Sequence, residues 1–168
     1  MRLMRERLSK DEGFTLIELM VVVLIIAVLV AIAIPSFLGF RSRAQDRSAQ
    51  ADIRNVLLAE KAEWTDNGAF TETEATLKAF EPSVEINTTS SATAGVFADL
   101  SVALNTNVIC LTQSSASGNV FGILEDGSAT GGTFYAASAA DITCPTSAGA
   151  PSTTATVNWS ETGFPAVP

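Results

Sequence analysis

GFTLIELMVVVLIIAVLVAIAIP, residues 13–35, is the stretch around which the whole chain is organised. Residues 14–34 are apolar but for Thr15 and a single charge, Glu18. At about 1.5 Å per residue, a helix of that length spans roughly 32 Å, enough to cross the hydrocarbon core of a bilayer. Later apolar runs are short and broken by Gly, Ser, Thr and Asn. The sequence therefore predicts one membrane-embedded helix near the N-terminus, and the rest of the chain is read outward from it.

The flanks differ in charge. Residues 1–13 carry Arg2, Arg5, Arg7 and Lys10 against Glu6, Asp11 and Glu12, and Arg41, Arg43, Arg47 and Arg54 follow the apolar run. Beyond Asn55 only Lys61 and Lys78 stand against a dozen acids, within a net charge of −8 for the 168 residues. Such an acidic distal part argues against direct nucleic-acid binding, which needs a basic face. The chain has no histidine, the commonest general base and metal ligand. No P-loop, nucleophile elbow, HExxH or cysteine cluster is present, so an enzyme is not expected. Basic flanks tend to stay cytoplasmic, which puts the distal part outside, where disulfides persist. Cys110 and Cys144 are accordingly read as a bridge, with free or metal-binding thiols as the minor reading.

A secretory signal would be cleaved after its apolar region at small residues, and Ala31 with Ala33 could form such a site. Glu18 inside the run and Pro35 directly after it speak against that reading.

The segment GFTLIELM, residues 13–20, resembles the type III signal of the type IV pilin superfamily: a charged leader, Gly, Phe, then T-L-I-E-L ahead of a long apolar helix. The resemblance is tight over residues 10–40 and looser beyond. It implies that a prepilin peptidase cuts between Gly13 and Phe14 and N-methylates Phe14. It also implies that Glu18 serves assembly by pairing with the new α-amine of a neighbouring subunit. The physics agrees: a carboxylate in hydrocarbon costs on the order of 2–3 kcal/mol near the centre and calls for a partner. The alternative is an incidental acid facing head groups. Pro35 lacks an N–H and crowds the preceding turn, so the helix should kink or loosen there. In the superfamily the helix loses regularity upstream of this proline; the corresponding position here is Ala27, a good helix former.

From Ser36 the helix should continue, with Ala49, Ile53, Val56, Leu57 and Trp64 forming an apolar stripe and Asn67-Gly68 the stop. A short helix is expected over residues 71–80, with Thr71 and Glu74 as a capping box. Residues 83–95 read as a connection. Strands are expected at 96–104, 108–112, 120–124 and 133–137, forming an antiparallel sheet of three or four strands, with 157–159 a possible edge. The tail from Ala148 reads largely as irregular surface. Glu125-Asp126-Gly127 with Asp141 could suggest a calcium site, but lacks the alternating oxygen ligands of a recognisable loop, and an Asp-Gly turn is preferred.

The expected fold is α+β, type IV pilin-like: a long N-terminal helix, membrane-spanning then amphipathic, packed on a small antiparallel sheet. The expected divisions are a cleaved leader (1–13), the membrane and filament-core half of the helix (14–35), its amphipathic half (36–67) and a head (68–168). The resemblance implies a prepilin that polymerises into a type IV pilus, or alternatively a pseudopilin of a type II secretion system. The implied partners are other copies of the chain, the prepilin peptidase and N-methyltransferase, and an assembly platform with its ATPase. It would sit in the cytoplasmic membrane before assembly and in an extracellular pilus after. No cofactor or metal is expected. A membrane-tethered binding module is the reading from a different class; it would not need Glu18 at its distance from Gly13.

Overall fold

The computed structural model describes residues 13–71, 73–87, 96–100, 107–128, 131–139, 142, 144 and 157–167. Its first element, α1, is one helix over Leu16–Asn67. Its residues fall into two compact units that divide between Arg41 and Ser42.

In the first unit, α1 opens on Thr15, whose hydroxyl oxygen accepts the Glu18 backbone N–H at 3.3 Å and so satisfies one of the free donors of the first turn. Helical assignment continues through Pro35 and Gly39. Near the proline, the Ser36 hydroxyl donates to the Ile32 carbonyl at 3.5 Å, a local addition where Pro35 supplies no N–H. Every residue from 13 to 41 is exposed.

In the second unit the helix changes character. Ala49, Ile53, Val56, Leu57 and Ala59 are buried, while Leu58 on the opposite side is exposed. Trp64 completes the stripe, half-buried against the same core. The helix stops where Gly68 takes φ +73°, a left-handed conformation costly for other residues, and its N–H bonds the Trp64 carbonyl at 2.8 Å. Buried Glu60 accepts the Thr71 N–H at 3.1 Å, tying the chain beyond the stop back to the helix.

The short helix α2 spans Glu74–Phe80, three residues later than the sequence suggests. The expected Thr71–Glu74 capping box is not formed. Thr73 occupies the cap position without a side-chain cap bond, and the Thr71 hydroxyl instead accepts the Thr73 N–H at 3.1 Å in a local turn. Thr71 is held by Glu60 and cannot also serve the helix.

Among the described residues the sheet has six strands rather than three or four: β1 Ile86–Asn87, β2 Val96–Leu100, β3 Val108–Ser114, β4 Val120–Asp126, β5 Thr133–Ser138 and β6 Asn158–Ser160, in that spatial order. All neighbours are antiparallel except β1 and β2, which are parallel. β1 lies inside the Ser/Thr-rich stretch read as a connection; residues 88–95 and 101–106 lie outside the described residues. β3, β4 and β5 all run longer than the sequence suggests, because their polar ends Gln113-Ser114, Glu125-Asp126 and Ser138 pair as regular ladder members.

Register fixes two faces. Leu111, Ile123 and Tyr135 align on one face, and Cys110, Leu124 and Phe134 on the other. On the first face, Ile109, Leu111 and Ile123 pack with Ile53, Val56 and Leu57 of α1 and with Phe70, Leu77, Val84 and Ile86. Each such side chain fully buried contributes about 1.5–3 kcal/mol. The second face is covered by Ile142, Cys144 and the segment around β6, which falls on the edge expected at 157–159: Cys144 and Trp159 pack on Val108, Cys110, Leu124 and Phe134, and Ile142 and Val157 on Val120 and Ala136, while residues 145–156 lie outside the described residues. Gly122 makes room for this layer, since a Cβ there would lie 3.2 Å from Ile142 and 3.3 Å from Trp159. The Cys110–Cys144 disulfide fastens the tail to β3, with Cα atoms 5.9 Å apart.

Candidate functional site

The candidate site is the entry to α1. Gly13, Phe14 and Thr15 precede the helix, and nothing lies within 4 Å of where a Cβ on Gly13 would sit. Phe14 is 78 % exposed. Among the described residues nothing crowds the Gly13–Phe14 peptide. Thr15 caps the helix and places Glu18 in its first turn, one turn from Phe14, where a carboxylate is also favoured by the helix dipole. T-L-I-E is thus a capping sequence. The Thr15–Glu18 spacing is a signal for this cap, but sequence reasoning weighed Glu18 only for its charge.

The surface that follows is apolar all round. Its large side chains from Leu16 to Phe40 are between 44 % and 75 % exposed, and an 18-residue window reaches a mean hydropathy of 3.3 with none of it buried. A helix with no polar face has no orientation that suits water. Pro35 lies within this surface.

The remaining sequence candidates fall in the second unit. Glu125 accepts a hydrogen bond from the Thr133 hydroxyl and pairs with Lys61 at 2.9 Å. The Asp126 carboxylate accepts the Ser128 N–H at 2.9 Å, and the Gly127 N–H bonds the Asn107 carbonyl at 2.8 Å, so the Asp-Gly segment is fixed by the Asp126 side chain and by the backbone leading into β3. Asp141 lies outside the described residues. Among the described residues no group of three or more potential metal ligands comes together.

Two contacts that sequence reasoning missed hold the helix to the sheet. Asp46 accepts hydrogen bonds from the Ser117 hydroxyl and, at 3.0 Å, from the Asn119 side-chain amide in the β3–β4 turn. Arg54 lies over the rings of Phe164 (5.0 Å) and Tyr135 (5.9 Å), a cation–π arrangement. Both join residues far apart in sequence and leave no local signal.

Comparison with known proteins bears on the same segment. Residues 8–34 match the family described as the prokaryotic N-terminal methylation motif. The chain is 38 % identical over 63 residues to the type IV major pilin protein PilA of Myxococcus xanthus, covering 38 % of this chain and 29 % of that protein. It is 39 % identical over 66 residues to the type IV wide pilus major component PilA4 of Thermus thermophilus, covering 39 % of this chain and 50 % of that one. It is 35 % identical over 78 residues to the type II secretion system core protein G of Pectobacterium carotovorum, covering 45 % and 50 %. The chain thus spans half or less of the length of these relatives. In its N-terminal methylation motif and the apolar helix that follows, the chain is similar to type IV pilins and to type II secretion core protein G.

Proposed function

We propose that the chain is a prepilin, a structural subunit that polymerises into a type IV pilus after its leader is removed. The observation that carries this reading is the order of features at the entry to α1: an uncrowded Gly13–Phe14 peptide among the described residues, a capped first turn bearing Glu18, and an exposed apolar helix surface. Residues 1–13 are the leader. A prepilin peptidase cuts between Gly13 and Phe14, and Phe14 becomes the methylated terminus. The new α-amine lies one turn from Glu18, and the two charges neutralise each other between neighbouring copies. Before assembly the apolar half of α1 spans the cytoplasmic membrane once; afterwards it lines the filament core, with Pro35 the point where the helix adapts. An assembly platform and its ATPase drive the transfer. The role is structural, not enzymatic.

The second reading, a pseudopilin of a type II secretion system, is favoured by the likeness to core protein G. The intact mass of the N-terminal peptide in material sheared from the cell surface separates the two. A peptide beginning at N-methylated Phe14 in the sheared fraction supports the pilus; the same peptide confined to membranes favours the pseudopilin. A terminus at Met1 or beyond Pro35 would overturn both.

A further inference from the structure

The charges of α1 are unevenly used. Among the described residues both lysines form ion pairs, Lys61 with Glu125 and Lys78 with Glu74 and Glu85. None of the arginines Arg41, Arg43, Arg47 and Arg54 does so, although the chain has an excess of acids. Arg54 is occupied by the rings of Tyr135 and Phe164. Arg43 and Arg47, one helical turn apart, instead line a cleft of about 220 Å³ with Asp46 and Gln50, floored by Phe121 and closed by residues 165–167. Asp46 does not pair with them; its two oxygens face Ser117 and Asn119. The cleft therefore carries two arginines on a largely polar lining, a combination suited to a phosphodiester.

The position of these arginines along the helix selects the source of that phosphate. The apolar run ends at Phe40, and Arg43 and Arg47 follow three and seven residues later in the chain. The headgroup layer on each side of a bilayer is roughly 5–8 Å thick, and arginine side chains reach back to it readily. We propose that the Arg43–Arg47 cleft binds the headgroup of an anionic phospholipid and seats the unassembled subunit at the membrane surface. The proposal rests on the reading of α1 as membrane-spanning. Assembly would then exchange this lipid for contacts within the filament, so the site marks the subunit while it waits in the membrane.

The test uses the full chain reconstituted into vesicles of phosphatidylcholine alone or of equal parts phosphatidylcholine and phosphatidylglycerol. It is then extracted gently, and the retained lipid is counted by native mass spectrometry. The expected result is selective retention of phosphatidylglycerol that drops by roughly fivefold per arginine, about twentyfold in Arg43→Gln/Arg47→Gln. Arg54→Gln, which leaves the cleft intact, should retain lipid like the parent chain. Selectivity should also fall with added salt. Equal retention of both lipids by the parent chain, or unchanged selectivity in the double variant, would overturn the site while leaving the spanning reading intact. A chain that resists insertion into either vesicle would overturn the spanning reading and the site with it. If the double variant lost filaments but kept its lipid selectivity, the two arginines would be contacts to a second copy and the proposal would be wrong.

Discussion

The two halves of α1 share one helix and solve opposite problems. Ile25 and Ile53 are the same residue on the same helix, yet Ile25 is 54 % exposed and Ile53 fully buried. The first half is apolar on every side, so no part of its own chain could cover it; it requires lipid or other copies as its surroundings. The second half carries a stripe one sheet wide and polar residues elsewhere, so a single small domain satisfies it. Backbone hydrogen bonding is common to both. What differs is where the side chains find apolar company: the second half finds it in the head, and the first half finds none among the described residues.

The sharpest way to break this contrast acts on the one charge in the apolar half. Replacing Glu18 by alanine should leave cleavage after Gly13 intact but lower the yield of sheared filaments about tenfold or more, because the new α-amine loses a partner worth on the order of 2–3 kcal/mol in hydrocarbon. Normal filament numbers on an immunoblot of the sheared fraction would refute the pairing. In the head the largest loss should come from Cys144→Ser. Opening a loop of 34 residues' separation should lower stability by about 3–4 kcal/mol on the chain-entropy estimate, read as a shift in the urea midpoint followed by tryptophan fluorescence. Ile53→Ala should cost about 3 kcal/mol in the same assay while Ile25→Ala changes nothing measurable. Equal effects would show that the halves are not independent in the way their exposures indicate. Gly122→Val, which drives a side chain into Ile142 and Trp159, should cost about 1–3 kcal/mol. No loss there would mean that the tail does not cover that face in solution.

The smallest effect concerns Asp52, on the packed half. Partial burial raises the pKa of its carboxyl above the ordinary value. A carboxyl whose pKa is higher folded than unfolded favours the fold when protonated. That stabilisation is present at low pH and is lost as pH rises through the interval from the ordinary carboxylate value to the raised one. Asp52→Asn should remove this step and make the head slightly more stable at neutral pH; a less stable variant would show that the carboxylate has a favourable partner.

Much of the molecule was legible before any coordinates. The length of the apolar run, the stripe through Ile53, Val56 and Leu57 and the stop at Gly68 all rest on residues within a turn or two of one another. Local spacing along a helix directly sets which side chains share a face. The strands at 108–112, 120–124 and 133–137 were legible in their apolar centres, but not in the polar ends that ladder pairing extends. Nothing local announces that β1 pairs parallel with β2, that Asp46 meets Ser117 and Asn119, or that Glu60 is buried against Thr71. The tail is the plainest case. Its sequence suggests an edge strand at 157–159 but not what that strand covers, and a sheet whose β3 and β4 side chains are buried on both faces needs a second cover. Only the folded sheet, with Gly122 leaving space and Cys110 offering a bond, shows that the tail supplies that cover. Helix faces follow from neighbours in sequence, whereas the two sides of a sheet are decided by what the rest of the chain brings to them.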